Sequence, residues 1–93
     1  MKYLDIDLKN YKITNSIGFA TALVSKACEA TSDEINIKTN DGVYVNLKSI
    51  MGVLTLNYHT ADKLTFQVMG ETEDYTVKSL EKFIKKELEH YSK

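Results

Sequence analysis

The sequence contains no proline, only four glycines and a single cysteine. Turns must therefore be built by the glycines and by Asn and Asp residues, and no Gly/Ser-rich linker or internal repeat divides the chain. Cys28 has no partner for an internal disulfide, and the two histidines, His59 and His90, are too far apart in sequence for zinc-ligand spacing. We therefore expect no metal site, no redox chemistry and no bound cofactor.

Long apolar runs and concentrated charge are missing as well. No run approaches the roughly 18 apolar residues of a membrane span, and the first residues alternate with charge, unlike a signal peptide. The formal net charge is −1, and no basic cluster supplies the field that attracts a nucleic acid backbone. The sequence predicts a cytoplasmic protein without direct membrane or nucleic acid partners. Its 93 residues, 43% of them hydrophobic, predict one domain over residues 1–93.

The first half of the chain switches between two hydrophobic periods. Alternating apolar residues over 4–8 predict a half-buried strand, which residues 12–14 are expected to continue. Apolar residues at helical spacing then predict a helix from Phe19 to about Thr31. Two further alternating runs, over 35–37 and 43–47, predict a pair of antiparallel strands.

The second half repeats this change of period. Asn40-Asp41-Gly42 suits a tight hairpin between the two alternating runs, because an Asp-Gly step tolerates positive φ. A short helix is predicted over 49–56, a fourth strand over 64–68, and a C-terminal helix from one apolar stripe. The stripe consists of Val77, Leu80, Ile84, Leu88 and Tyr91. The order β-α-β-β-α-β-α predicts a two-layer α+β sandwich with the helices on one face of the sheet.

Two segments of this chain resemble the HPr family, the histidine-containing phosphocarriers of the bacterial sugar phosphotransferase system. One is Asn15-Ser16-Ile17-Gly18-Phe19-Ala20-Thr21-Ala22-Leu23. The other, more specific one is Val45-Asn46-Leu47-Lys48-Ser49-Ile50-Met51-Gly52-Val53, which is similar to the regulatory-serine segment of the family. The resemblance extends over essentially the whole chain and implies a four-stranded antiparallel sheet covered on one face by three helices.

The first segment departs from the family pattern Gly-Leu-His-Ala-Arg-Pro-Ala. The resemblance places the phosphoryl-accepting histidine of the family at Ala20, beside an open helix N-terminus, and the family arginine at Ala22. Ala20 has no imidazole nitrogen to accept a phosphoryl group, and Ala22 has no charged donor fork for phosphate oxygens. A threonine phosphate ester is a poor phosphoryl donor, so Thr21 does not replace the histidine. We expect no catalytic residue and no carrier activity.

Ser49 has two interpretations. As a helix N-cap its hydroxyl would accept a backbone hydrogen bond and contribute about 1 kcal/mol without any function. The resemblance implies instead that Ser49 is a regulatory phosphorylation site, modified by HPr kinase and then bound by a transcriptional regulator. A phosphate of about −2 charge is compatible with a helix N-terminus, because the helix dipole and free N–H groups stabilise it.

The short second helix is too apolar to bury every side chain. Periodicity turns Val53 and Leu56 inward, which leaves the remaining apolar residues as an exposed patch suited to a protein partner. The predicted partner-binding residues are Phe19, Thr21, Lys48, Ile50, Met51 and Leu54. The alternative is that these residues only cover the edge of the core, since single exposed hydrophobic residues are common.

The functional prediction is a non-enzymatic, HPr-like regulatory module that binds proteins, with or without phosphorylation of Ser49. The expected partners are HPr kinase, a transcriptional regulator or components of the phosphotransferase system. One alternative is a phosphocarrier of that system, against which Ala20 argues directly. Another is a module that keeps the HPr fold and has an unrelated binding role, because a fold does not determine function.

Overall fold

The computed structural model describes residues 1–40 and 42–92, and its elements follow the predicted order. They are β1 (Lys2–Asp7), α1 (Ser16–Cys28), β2 (Asp33–Thr39), β3 (Val45–Asn46), α2 (Ile50–Leu54), β4 (Lys63–Gly70) and α3 (Glu73–Tyr91). The four strands form one antiparallel sheet in the order β1-β4-β2-β3. The predicted α+β sandwich is confirmed.

The core lies between one face of the sheet and the three helices. Phe66 of β4 is fully buried and pairs in register with Leu4 of β1 and Ile37 of β2. Burial of a side chain of this size contributes about 1.5–3 kcal/mol. Opposite it, α3 contributes the central residues of its predicted stripe, which are buried: Leu80, Ile84 and Leu88. Within the described chain, no helix is long and apolar enough to span a bilayer.

The first strand is shorter than its pattern predicts. β1 ends at Asp7, and the chain then turns, with the Tyr11 amide donating to the Leu8 carbonyl at 3.0 Å. Ile13 forms only an isolated bridge with Ser92, next to the end of α3. The prediction that residues 12–14 continue the strand was therefore wrong, because these residues pair with the C-terminus instead of the sheet.

The first helix begins three residues before its predicted start. Its N-cap is Asn15, whose side-chain oxygen accepts a hydrogen bond from the Gly18 amide at 2.9 Å. This bond satisfies one of the amides that a helix start leaves without a partner, so the helix begins at Ser16. The predicted span from Phe19 to Thr31 was shifted, and the helix ends at Cys28.

The hairpin between β2 and β3 pairs antiparallel, as predicted, but β3 has only two residues. Gly42 has φ +94°, which suits the turn, whereas the predicted turn residue Asp41 lies outside the described residues. Val43 is 73% exposed, and Leu47 is buried, with its amide donating to the Ile35 carbonyl. The observed strand, Val45–Asn46, is therefore shorter at both ends than the strand predicted over 43–47.

Candidate functional site

The start of α1 is closed by the end of α3. A Cβ atom added to Gly18 would lie 2.6 Å from Cε1 of Tyr91, so the tyrosine ring lies directly on this glycine. The Thr14 amide donates to the Tyr91 carbonyl at 2.9 Å, and the Thr14 hydroxyl donates to the same oxygen at 3.2 Å. Asn15 adds its cap bond to Gly18. These contacts fix the helix start that the resemblance associates with phosphoryl transfer.

Phe19 is buried, contrary to the prediction that it extends an exposed patch. Its ring is fully enclosed and contacts the rings of Tyr58 and Tyr91 edge to face, with centroids 5.6 and 6.4 Å away. Because α1 begins at Ser16, Phe19 shares the core-facing side of the helix with Leu23. The Phe19 side chain is therefore part of the core and is not available to a partner.

Ala20 is also fully buried, in the second turn of α1. The expectation that Ala20 lies beside an open helix N-terminus was wrong, because the helix begins four residues earlier. The residues at that N-terminus are Asn15, Ser16 and Ile17, none of which carries an imidazole. Ala22 is only partly exposed, two positions further along the helix.

The two histidines lie outside α1. His59 is exposed in the turn between α2 and β4. His90 is exposed near the C-terminus of α3, and its ring contacts that of Tyr91 edge to face, with the centroids 4.6 Å apart. Among residues 1–40 and 42–92, no group of three or more His, Cys, Asp or Glu side chains could hold a metal ion.

Thr21 is exposed on α1, as partner binding would require. Its hydroxyl donates to the Ile17 carbonyl at 2.8 Å, one turn earlier in the helix. This is a hydrogen bond within the helix, since the capping position belongs to Asn15.

The outer surface of α2 is apolar, as its sequence predicts. Ile50, Met51 and Leu54 are 37%, 79% and 44% exposed and together form what we call the α2 patch. Val53 is fully buried, and Leu56 is half-buried against the core. The predicted division between inward and outward residues is therefore confirmed.

Ser49 is the residue before α2, but its hydroxyl does not cap the helix. It lies at the N-cap with φ −106° and ψ 107°, is exposed, and makes no side-chain hydrogen bond to the helix start. The first helical bond runs from the Val53 amide to the Ser49 carbonyl at 3.1 Å. The capping interpretation was therefore wrong, and the hydroxyl is free of that role.

Lys48 is half-buried, and its ammonium is held by two backbone carbonyls. Its ammonium donates to the Ala30 carbonyl at 2.7 Å and to the Asp33 carbonyl at 2.6 Å. These bonds tie the loop before α2 to the end of α1 and the start of β2. Lys48 was predicted to bind a partner, but its ammonium makes these contacts within the fold instead.

Asp33 is a buried carboxylate that the sequence analysis missed. It accepts hydrogen bonds from the Thr72 amide at 3.0 Å, from the Thr72 hydroxyl at 2.6 Å and from the Thr76 hydroxyl. Burial alone would raise the pKa of Asp33, but these hydrogen bonds and the charge of Lys48 lower it below its usual value. The neighbouring sequence does not predict that Asp33 is buried and hydrogen-bonded, because its partners Thr72 and Thr76 lie about 40 residues away.

Ile17 is the other residue that the sequence analysis missed. It lies at the start of α1 and is 68% exposed. The shift in the helix start explains the omission. With the helix beginning at Ser16, Phe19 faces the core while Ile17 remains outside.

Comparison with known proteins gives consistent matches. Residues 9–86 match the family described as PTS-HPr, the PTS HPr component phosphorylation site, where PTS denotes the phosphotransferase system. HPr-C-His from Thermoanaerobacter tengcongensis superposes with a TM-score of 0.76 at 26% identity, covering 96% of this chain and 97% of that protein. The phosphocarrier protein HPr from Bacillus anthracis superposes with a TM-score of 0.71 at 24% identity, covering 88% and 94%.

A third similar structure is Crh, the catabolite repression protein of Bacillus subtilis, whose crystal structure is a domain-swapped, intertwined dimer. It superposes with a TM-score of 0.65 at 25% identity and covers 95% of this chain and 98% of that protein. The matched folds extend over nearly the whole of each chain.

Proposed function

The chain belongs to the HPr family of phosphotransferase-system proteins, and from this premise we propose that it is a regulatory module that binds other proteins. It carries no phosphoryl group on histidine and catalyses no reaction. It acts in the cytoplasm as one domain over residues 1–93. Its partners are HPr kinase, a transcriptional regulator or components of the phosphotransferase system.

The observation that carries this proposal is the outer surface of α2. The α2 patch presents three apolar side chains to solvent, immediately after an exposed serine whose hydroxyl makes no cap bond. Exposed apolar groups of this kind favour protein partners, and Met51 adapts its shape readily to a partner surface. Thr21 adds an exposed hydroxyl on α1, the helix packed beside α2.

Ser49 is the proposed site of regulation. The amides of the first α2 turn precede the first helical hydrogen bond, from Val53 to Ser49, so they are available to phosphate oxygens. A phosphate would add about −2 charge at this point without removing any capping bond. Phosphorylation would therefore change the charge beside the α2 patch while preserving the fold.

The start of α1 supports the absence of carrier activity. Phosphoryl transfer by the family mechanism requires a nucleophilic imidazole nitrogen at the site. Asn15 occupies the N-cap of α1, and its amide oxygen already accepts a bond from Gly18. Ala20 lies inside the core, where phosphoenolpyruvate-derived phosphate cannot reach it.

Intact-mass spectrometry tests the proposal in two parallel reactions. The purified protein is incubated with the first enzyme of the phosphotransferase system plus phosphoenolpyruvate, and separately with HPr kinase plus ATP. We expect the mass of one phosphate to be gained only with the kinase. Ser49→Ala should abolish this gain, whereas Ser25→Ala, at another exposed serine, should retain it.

A phosphocarrier is the second candidate, and the position of His90 is the observation in its favour. His90 precedes Tyr91, which contacts the start of α1 through Gly18. A mass gain with the first enzyme that His90→Ala abolishes and His59→Ala preserves would establish a carrier and overturn our proposal. No gain in either reaction would remove Ser49 regulation and favour a binding role unrelated to phosphorylation.

A further inference from the structure

The sheet has a second face, directed away from the helices. Leu4 of β1 is buried in the core, and successive side chains of a strand alternate between its two faces, so Tyr3 and Asp5 lie on the opposite face. Asp5, Thr65 and Lys38 stand in register on three adjacent strands of this face. Because strands carry these side chains, their spacing is fixed by the sheet.

A trough crosses this face between two tyrosines. Tyr3 is 58% exposed on the edge strand β1, and Tyr44 is half-buried beside β3, whereas the shorter Thr65 is buried on the central strand β4. Large side chains at the edges and a short one in the middle leave two adjoining depressions of about 310 and 430 Å³. Both depressions are lined by Asp5, Asn40 and Lys63. We call them together the sheet trough, which has the size of a small-molecule site.

Both tyrosine rings of the sheet trough are held in place by neighbours. The Lys38 ammonium lies 5.0 Å from the centroid of the Tyr44 ring. The Gln67 side-chain amide donates to the Tyr3 hydroxyl at 3.4 Å, and this hydroxyl donates to the Met1 sulfur at 3.0 Å. A site that is already ordered binds its ligand at a lower entropic cost.

The sheet trough carries equal numbers of opposite charges among the described residues. Its acidic side chains are Asp5, Asp7 and Asp62, and its basic side chains are Lys9, Lys38 and Lys63. Within the described chain, none of these side chains takes part in an ion pair. The Thr65 hydroxyl donates to Asp5 at 2.7 Å, which leaves further lone pairs on this carboxylate. The sheet trough therefore offers strong donors and strong acceptors, while its charges balance.

These properties select an uncharged ligand with many hydroxyl groups. A polyanion requires a net positive surface, and an apolar ligand would remove water from the charged groups without replacing their hydrogen bonds. Sugar hydroxyls both donate and accept, so they match ammonium donors and carboxylate acceptors in one site. The C–H face of a sugar ring is apolar and suits an exposed aromatic ring such as that of Tyr3. We propose that the sheet trough binds a neutral carbohydrate.

This site is separate from the proposed regulatory function. It uses neither Ser49 nor the α2 patch, which belong to the layer of helices on the other side of the sheet. Most side chains that line the sheet trough are exposed or half-buried, so a bound sugar remains partly in water. We therefore expect a dissociation constant on the order of 1 mM.

Titration of the full chain with sugars, followed by amide NMR spectra, tests the proposal. The probes are glucose, galactose, mannose, maltose and cellobiose, each up to about 100 mM. We expect at least one of them to shift the amides of β1, β4 and Lys38 saturably, while those of α1 and α3 stay unchanged. The affinity should be the same at about 50 mM and about 500 mM salt, because the ligand is uncharged. Glucosamine and glucuronate, which carry one charge each, should bind no more tightly than the neutral sugars.

Two substitutions locate the site. Tyr3→Ala removes the exposed ring and Asp5→Asn removes a charged acceptor, and each should weaken binding at least about tenfold. Tyr75→Ala is the matched control, since Tyr75 is 75% exposed on α3, outside the sheet trough, and its substitution should leave the affinity unchanged. The same spectra show that each variant is folded. The proposal would be overturned by the absence of saturable shifts with every neutral sugar, by tighter binding of a charged sugar, or by equal affinity in all three variants.

Discussion

Ala20 has an environment that limits the chemistry its position can support. It is fully enclosed on the core side of α1, beside Phe19 and Leu23. A side chain introduced here must fit into a packed interior, in which even one additional methylene group has a cost. Resemblance to a family pattern identifies a sequence position, but burial determines whether the side chain reaches a partner.

Ala20→His should therefore destabilise the protein rather than restore a carrier. We expect the free energy of unfolding to fall by about 1–3 kcal/mol, because the imidazole exceeds the available space. The first enzyme should transfer no phosphoryl group to the variant. Urea unfolding measures the stability, and Ala22→His, at a partly exposed position, should change it by less than about 0.5 kcal/mol. Unchanged stability of the Ala20 variant would show that the site is open.

Asp33 gives the fold a dependence on pH. Its folded pKa is lower than the ordinary value of 3.8, so its carboxylate stabilises the fold above that pH. This stabilisation is lost as the pH falls through the lowered folded pKa. The hydrogen bonds from Thr72 and Thr76 outweigh the effect of burial and produce the direction of the shift.

Asp33→Asn is expected to remove this acid-sensitive contribution. At about pH 7 the free energy of unfolding should fall by about 1–3 kcal/mol, because a charged acceptor of three hydrogen bonds is lost. The difference from the native protein should shrink as the pH falls below about 4. Urea unfolding across this pH range measures it, with Asp62→Asn at an exposed position as control. A difference that stays constant with pH would contradict the assignment.

At the scale of elements, α1 and α2 differ in how their first turns are closed. Asn15 caps α1 through its side chain, whereas Ser49 precedes α2 without a cap bond. Sequence periodicity located both helices and predicted which α2 residues point outward. It did not locate the start of α1, because a cap depends on the geometry of one hydrogen bond rather than on a repeating pattern.

Alanine substitution should have different effects at the two N-cap positions, because only Asn15 makes a cap bond. Asn15→Ala should lower the free energy of unfolding by about 1 kcal/mol, because the Gly18 amide loses its acceptor. Ser49→Ala should change it by less than about 0.5 kcal/mol, as expected for an exposed side chain without such a bond. Thermal unfolding of both variants makes the comparison. A larger loss from Ser49→Ala would show that its hydroxyl caps α2 in solution.

At the scale of the whole molecule, β4 is the central element. It pairs with β1 on one side and β2 on the other, so its amides and carbonyls are covered from both sides. β3 contributes only two residues at the edge next to β2. The most persistent hydrogen bonds should therefore lie in the middle of the sheet.

Hydrogen exchange followed by NMR should reproduce this order. Amides of β4 are expected to exchange slowest, near the rate set by global unfolding, because opening β4 disrupts two strand pairings. Amides of β3 should exchange several orders of magnitude faster. Equal protection in β3 and β4 would show that the short edge strand is extended in solution beyond Val45–Asn46.

Much of the fold follows from local sequence. Alternation and helical spacing depend on residues a few positions apart, so they predicted the element order, the α3 stripe and the outward side of α2. The segment from Val45 to Val53 indicated the family, which residues 9–86 match.

Tertiary contacts decided the remaining features, all of which concern the candidate site. Thr14 is bonded to Tyr91, 77 positions later, and Tyr91 in turn covers Gly18 at the start of α1. Long-range packing buries Phe19 against the rings of Tyr58 and Tyr91. The Lys48 ammonium likewise donates to the carbonyls of Ala30 and Asp33, which lie in other elements. Sequence periodicity shows which side of a helix or strand is apolar. The residues that pack against that side come from distant parts of the chain, so only the tertiary structure determines them.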